Sequence, residues 1–476
     1  IYMQKISFKP REYQKRILDI TSDSIEKKQN VLIELDCGLG KRYLQYSLLF
    51  DIFSNKNILL ILQASTSLYE TYEYLKSITN SNDIAVVDSR INSQYRSYIM
   101  NTKRIILCLP QTISNTIKKY PQSINKFDLI IINEVDQIIR RMSYTSALKQ
   151  PYSFLIPIFQ KRSLIGMSGT LRDEHYIVDD FQLKIIDELN SLITYFHSNT
   201  KLITMNMLND TDIGKFVNIS DIIPTGIFDS RMTEISEILD SQIEKAKNTI
   251  LNYIREDNIS FYNEIKRDLS KLFGPLPIPP IISQKFHRGY LVRKYLWSMS
   301  GDSSYRHLLN YGLSKHLLKN TLPRLPGKFL AVKELVKNYK KSIILCSYID
   351  TVELLAVLLE HSGLQTIIIT GQVPQNQRIT QLEDFRKSNT QSVAILSNVG
   401  ERDLDIPEAD MLIIFDLVRT TKTVYQKLKR SRGGEVRLLF YENTNEKKKV
   451  VSVLHNISKK YPWSVAVKDF DTKYIG

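Results

Sequence analysis

The stretch Val31-Leu32-Ile33-Glu34-Leu35-Asp36-Cys37-Gly38-Leu39-Gly40-Lys41-Arg42 runs from an apolar segment into a glycine-rich turn closed by a lysine. A short apolar run bounded by turn residues reads as a buried strand. Glycines between a strand and a helix let backbone N–H groups approach phosphate oxygens, and a lysine at the end of the turn adds charge there. The spacing suits a phosphate-binding loop, with Gly38, Gly40, Lys41 and Arg42 as candidate nucleotide-binding residues. The Ser or Thr that follows the lysine in such loops ligates Mg2+, and here Arg42 replaces it. Standing alone, the segment reads better as a plain Gly-rich turn.

Working outward, further apolar runs repeat the pattern. Ile58 to Leu62, Ile105 to Leu109 and Leu129 to Ile132 each precede polar or helix-patterned sequence, the rhythm of a parallel βαβ layer. The rhythm returns at Ile343 to Cys346, Thr366 to Ile369, Val393 to Leu396, Met411 to Phe415 and Val436 to Phe440. Between these two series, Ile235 to Arg255 and Phe261 to Phe273 are charged and helix-patterned. They lead into Gly274-Pro275-Leu276-Pro277-Ile278-Pro279-Pro280, which is incompatible with a helix interior. The expected fold class is therefore α/β: two parallel-sheet domains with a helical domain inserted between them. The expected boundaries are 1–205, 206–322 and 323–476.

Composition bounds the function. The chain has 476 residues, 43% hydrophobic and 24% charged, which is ordinary for a globular protein and excludes disordered, collagen-like and low-complexity classes. No apolar run approaches the ~18 residues of a membrane span, so no membrane partner is expected. The 65 Lys+Arg against 50 Asp+Glu give a formal net charge of +15, which admits a polyanion partner. Cys37, Cys108 and Cys346 lie far apart in or beside apolar runs. That spacing argues against a disulfide framework or a zinc site, and with no signal peptide in view it leads us to expect an intracellular protein and no resident metal.

A second chemical segment, Asn133-Glu134-Val135-Asp136, closes the strand Leu129 to Ile132, about 90 residues after the glycine-rich turn. A Walker B site places an aspartate here for Mg2+ and a glutamate to activate water. Glu134 is in place as the candidate catalytic residue, Asn133 stands where the metal-directed aspartate belongs, and Asp136 follows on the nucleotide side. Upstream, Pro10-Arg11-Glu12-Tyr13-Gln14 fits an adenine-reading segment, with Arg11 and Gln14 as its readers. Pro110-Gln111-Thr112 and Ser168-Gly169-Thr170 fall at the ends of neighbouring strands.

This ordered set resembles the superfamily 2 helicases, and within them the Hef family, together with the Fanconi anaemia M translocase and the RIG-I and Dicer helicases. Leu109 to Asn115 resembles the family's "TPQTIEND" segment, and Pro326-Gly327-Lys328 its "HPK". Tyr348 to Thr351 resembles "YRDTA", Thr370-Gly371-Gln372 contains its "GQ", and Ser397 to Pro407 resembles "TSVGEEGLDIP". Tyr425 to Gly434 falls where the arginine-finger segment belongs, with Arg430 on the first finger. The resemblance implies two RecA-like domains flanking the helical insertion, which in the family is implicated in recognition of branched DNA. It implies nucleic-acid contacts from Pro110, Gln111, Thr112, Asn115, Gly371, Gln372, Ser397 and Asn398, and catalytic roles for Glu134 and Arg430. Forked or branched DNA is the partner it points to, with an XPF-type nuclease as the companion by analogy.

The departures from the family fall on nucleotide chemistry. Arg42 replaces a hydroxyl, Asn133 a carboxylate, Asp403 a glycine, and the second finger aligns with Gly433 or, after a slip, Arg432. The resemblance admits ATP as a ligand, while these exchanges count against Mg2+. One expectation is that Arg42 fills the metal position, where neutral Asn133 avoids pairing with it. Two functions stay open. One is a nucleic-acid-binding scaffold with impaired or lost ATP hydrolysis that targets a nuclease. The other is an ATP-driven helicase, on DNA or on RNA, with an unusual metal site. Around Arg288, Arg293, Lys294 and Arg306, the aromatic residues Phe286, Tyr290, Tyr295, Trp297 and Tyr305 read better as helix packing than as base stacking. Lys447, Lys448 and Lys449 read as a solvated face.

Overall fold

In the computed structural model, the structure describes residues 9–36, 38–79, 81–141, 151–169, 171, 174–179, 182–197, 199–274, 276–298, 301–397, 409–417, 424–425, 428 and 434–474. The chain forms two compact units, one of Ile1–His175 with Ile185–Val217, the other of Tyr176–Lys184 with Asn218–Gly476.

Unit 1 begins with α1 (Glu12–Glu26), β1 (Val31–Glu34), α2 (Lys41–Ser47), β2 (Ile58–Ile61), α3 (Ser65–Thr79), β3 (Ile84–Val87) and α4 (Ser93–Thr102). It continues with β4 (Ile105–Cys108), α5 (Pro110–Lys119), β5 (Leu129–Asn133), α6 (Gln137–Arg141), α7 (Pro151–Phe159) and β6 (Ser163–Ser168). A separate two-stranded sheet of β7 (Glu174–Asp179) and β8 (Gln182–Asp187) holds the stretch Tyr176–Lys184 that belongs to unit 2, and unit 1 resumes with α8 (Glu188–Tyr195) and β9 (Lys201–Ile203). The main sheet runs β3-β4-β2-β5-β6-β1-β9, with every neighbouring pair parallel. All four residues of β1, β2 and β4 are buried, because helices cover both faces of such a sheet and leave no polar side. Parallel strands share a carboxyl edge, and the turns after β1, β4, β5 and β6 carry the chemistry there.

Unit 2 holds β10 (Ser220–Phe228), a helical layer of α9 (Ser230–Asp257), α10 (Ile259–Arg267), α11 (Pro280–Ser298), α12 (Gly301–Tyr311) and α13 (Lys315–Thr321), then α14 (Gly327–Val336). It is completed by β11 (Lys341–Cys346), α15 (Ile349–Glu360), β12 (Gln365–Ile369), α16 (Gln375–Lys387), β13 (Ser392–Ser397), β14 (Met411–Ile414), β15 (Glu435–Tyr441), α17 (Asn445–Lys460), β16 (Val465–Val467) and β17 (Asp471–Tyr474). Its sheet runs β12-β13-β11-β14-β15-β10-β16, with β17 also on β10. The core of the helical layer, from Ile235, Leu239, Ile243 and Ile250 of α9 to Phe286, Leu296 and Trp297 of α11, continues into the sheet through Ile227 of β10 and Tyr441 of β15.

The compact units differ from the expected boundaries at more than one place: Tyr176–Lys184, expected in the first domain, falls in unit 2, and the expected helical insertion shares unit 2 with the second sheet. Residues 206–217 belong to unit 1, and residues 220–228, expected in the helical insertion, form a strand deep in the second sheet. Pro224 and Gly226 disguise that strand, since both are poor sheet-interior residues. Pro224 is tolerated because β16 pairs with residues 220–222 and β17 with 225–228, so the missing N–H falls at the seam between them. Gly226 is required because a Cβ there would lie 2.2 Å from Glu442 Oε1.

Candidate nucleotide and nucleic-acid sites

The turn after β1 reaches α2 through Gly38 and Gly40, at φ +81° and +83°. Only glycine enters this region without strain. Lys41 opens α2, and its ammonium donates to Leu35 O at 3.3 Å and meets Glu134 Oε1 at 3.6 Å. Glu134 itself sits at φ +46°, a left-handed conformation that costs a non-glycine residue about 1–3 kcal/mol. The strain turns its carboxylate, directly after β5, toward the lysine.

Arg11 and Gln14 open α1. The Gln14 amide accepts from Arg11 N at 3.1 Å and donates to Leu39 O at 3.4 Å, in the turn itself. A Cβ at Gly40 would lie 2.4 Å from Gln14 Nε2, so the second glycine is what lets α1 touch the loop. Tyr13 donates its hydroxyl to the same Leu39 O at 2.9 Å, and burial holds that phenol above its ordinary pKa. The Arg11 guanidinium lies 3.7 Å over the Phe216 ring. The expected adenine segment and the expected phosphate loop are thus physically joined.

Asn133 does not face Arg42. Its side-chain oxygen accepts from Gln45 Nε2 at 3.1 Å, and its backbone oxygen from Gln63 Nε2 at 3.0 Å. Arg42 turns outward and pairs with Glu70 of α3. This corrects the expectation that Arg42 fills a metal position beside Asn133: the long side chain reaches a carboxylate on the neighbouring helix. Asp136 and Ser168 are fully buried, and the serine hydroxyl donates to Asp136 Oδ1 at 2.6 Å, tying β6 to the turn after β5.

The fold implies Mg2+ beside such a loop, and the residues present do not fit it. Position 42 carries a cation with its own anion, and the position 133 amide oxygen is already taken by Gln45. Among the described residues no three His, Cys, Asp or Glu side chains gather as a metal site.

On α5, Gln111 and Asn115 are exposed and joined at 3.1 Å. Pro110 and Thr112 are buried, and their side chains build the helix start. In unit 2, Gly371 and Gln372 are exposed after β12, in a turn fixed by Arg378, whose guanidinium donates to Gly371 O at 3.1 Å and Val373 O at 2.6 Å. Ser397 ends β13 at 3% exposure, its hydroxyl buried without a partner. Asn398, Asp403, Arg430, Arg432 and Gly433 lie outside the described residues.

Sequence reasoning missed three features. Gln45 follows Lys41 by four positions, one helical turn, a signal that the two share a face. Glu70 left no comparable signal. The third lies within unit 2, where Lys328 is fully buried and donates to Glu446 Oε1 at 2.6 Å and to Trp297 O and Phe415 O at 3.1 Å each. Burial raises the Glu446 pKa despite that lysine. Nearby, Phe286 and Trp297 are buried, and Arg293 is held by Asp240 at 2.7 Å and lies 4.1 Å over the Tyr290 ring. Lys449 is half-buried, which corrects its reading as part of a solvated face.

Two parallel sheets, with a glycine-rich loop after β1, an acidic turn after β5 and a serine at the end of β6 bonded to that turn, define an α/β protein with a candidate phosphate site at one sheet edge. Residues 7–173 match the family "Type III restriction enzyme, res subunit", and residues 327–434 match "Helicase conserved C-terminal domain". The structure is similar to the Hef helicase domain of Pyrococcus furiosus, with a TM-score of 0.60 and 16% identity over 95% of this chain and 99% of that one. It is also similar to Dbp5 of S. cerevisiae bound to RNA and ADP BeF3, with a TM-score of 0.55 and 13% identity over 97% and 90%. In sequence it is 23% identical to MJ1505 of Methanocaldococcus jannaschii, whose name gives it provisionally as an ATP-dependent RNA helicase, over 96% of this chain and 61% of that protein. It is 33% identical to ATP-dependent RNA helicase DDX47 of Drosophila melanogaster, over 19% and 18%. The chain therefore spans less than two thirds of the length of these relatives. In fold the chain resembles these helicase structures, and its two matched regions carry the descriptions above. No helix among the described residues is long and apolar enough to cross a membrane.

Proposed function

We propose that this protein binds forked or branched DNA and an adenine nucleotide, with ATP hydrolysis impaired or lost, and serves as a scaffold that brings a nuclease of the XPF type to its substrate. The observation that carries the reading is the pairing of Arg42 with Glu70 beside an Asn133 held by Gln45. Both groups that would seat a divalent cation are replaced, and both replacements have settled partners. Lys41, Gln14 and the glycines retain the means to hold phosphates and a base. DNA is the ligand that the motif resemblance to the Hef family implies, and Gln111, Asn115, Gly371 and Gln372 are the exposed candidates for its backbone. Contacts of this kind are mostly to phosphate, so binding weakens steeply with salt.

A second reading, an active ATP-driven helicase, is favoured by the Lys41–Glu134 pair and the Ser168–Asp136 bond, which keep the hydrolytic side of the site assembled. The names of the relatives add RNA as its substrate. Phosphate release by the wild type beside Lys41→Ala, with forked DNA and with duplex RNA, separates the readings. Scaffold behaviour is release no faster than Lys41→Ala, with hydrolysis appearing in the double variant Arg42→Thr plus Asn133→Asp. Brisk wild-type turnover abolished by Lys41→Ala sinks it, and the stimulating nucleic acid then names the substrate.

A further inference from the structure

Helix α4 packs through one face only. Ser97 and Met100 are buried, Ser97 meets Ser123 at 2.6 Å, and Arg96 donates to Thr112 O on α5 at 3.3 Å. Tyr95 and Tyr98 stand on the face away from the core, 54% and 60% exposed. Their rings lie within 13° of parallel, with centroids 5.8 Å apart. Among the described residues of unit 1 they are the only exposed large hydrophobic side chains, and they are adjacent. Neither packing nor helix propensity calls for them, since Gln, Lys or Ala serves an exposed helix face better. The neighbouring α5 exposes Gln111, Asn115, Lys118 and Lys119, two hydrogen-bonding amides and two cations, in a chain of net charge +15. Both helices leave the carboxyl edge of the sheet, the edge that also bears Lys41 and Asn133.

Flat apolar faces on one helix and cations on the neighbouring one, where Lys118 also lies 5.2 Å over the Phe154 ring, match a ligand with flat faces and regular negative charge. We propose that Tyr95 and Tyr98 form a stacking step for unpaired bases of a single-stranded polynucleotide whose phosphates run along Gln111, Asn115, Lys118 and Lys119. The inference rests on the nucleic-acid reading above and adds to it a contact to bases. Every base has a π-face, so the step tolerates sequence, and the nearly parallel rings share one orientation for stacking.

The test compares two fluorescein-labelled probes of roughly 16 nucleotides, oligo-dT and an abasic strand of equal length with the same phosphates. Full-length wild type, Tyr95→Ala/Tyr98→Ala and Tyr95→Phe/Tyr98→Phe are titrated by anisotropy. Both tyrosines are exposed, so neither variant disturbs the core. The expected results are tighter wild-type binding to oligo-dT than to the abasic strand, and about tenfold weaker oligo-dT binding in the Ala pair. The abasic affinity is unchanged, and the Phe pair binds like wild type. Unchanged oligo-dT binding in the Ala pair overturns the proposal, as does an equal loss on both probes. Self-association that only the Ala pair abolishes, with neither probe affected, assigns the tyrosines to a second copy of the chain and likewise overturns it. Wild type that binds neither probe removes the nucleic-acid reading itself.

Discussion

Lys41 and Glu134 of unit 1 meet at 3.6 Å with side chains 16% and 35% exposed, whereas Lys328 and Glu446 of unit 2 meet at 2.6 Å with neither side chain exposed at all. The first lysine is partly exposed and meets its anion only at long range. The second has a carboxylate and two carbonyls close by, while Glu446 takes a further N–H from Tyr441 at 2.8 Å. A half-solvated charge can exchange its partner for a ligand's charge at small expense. A buried charge with full coordination cannot, because any intermediate leaves it bare in a poorly polarisable medium. Neighbouring charges therefore read as function in unit 1 and as architecture in unit 2.

Four substitutions sharpen this contrast. Lys328→Met strands Glu446 and is expected to destabilise unit 2 by about 3–5 kcal/mol in urea or thermal unfolding. Adding Glu446→Leu should recover most of that loss. If the single variant unfolds like wild type, the buried pair carries no architectural weight.

Lys449 is intermediate. Burial, with Lys294 beside it, pushes its ammonium down to about 8. A lysine with a depressed folded-state pKa binds its proton less firmly in the native chain than in the unfolded one. It is therefore a liability below about 8, and the liability fades as pH climbs toward the unfolded value. Lys449→Met should raise stability by about 1–2 kcal/mol at pH 7, the gain over wild type shrinking as pH rises toward about 10. A gain that is flat from pH 7 to about 10 would assign the effect to packing alone.

The smallest effect belongs to Arg42→Ala. Its pair with Glu70 is largely in water, with side chains 45% and 31% exposed, so the loss in unfolding free energy should stay within about 1 kcal/mol. A larger loss would move this pair to the architectural side of the comparison.

Much of this organisation was legible beforehand. The runs at Val31, Ile58, Ile105, Leu129, Ile343, Thr366, Val393, Met411 and Val436 all became strands, because a sheet covered on both faces demands uninterrupted apolar residues. Strand β10 escaped because its Pro224 and Gly226 are licensed by a seam and by Glu442, both distant in sequence. In the nucleotide site, the residue types at 14, 41, 42, 133 and 134 could be read from spacing along the chain. Their partners could not: Arg42 was expected near Asn133, and the structure gives it Glu70, a choice made by where α3 lies beside α2. The burial of Lys328 was equally invisible, because a lysine in a Pro-Gly-Lys segment carries no local mark of the carbonyls that Trp297 and Phe415 bring to it.

Gln14 has two employments at once. Its oxygen secures the first turn of α1 and its nitrogen grips the glycine-rich loop. A purine that claims this amide must displace one of those bonds, so base recognition would be felt as a loosening of either the helix start or the loop. Selectivity for the base and compliance of the loop would then be one property, and a variant chosen for tighter base binding would be expected to have a stiffer or a more frayed neighbour.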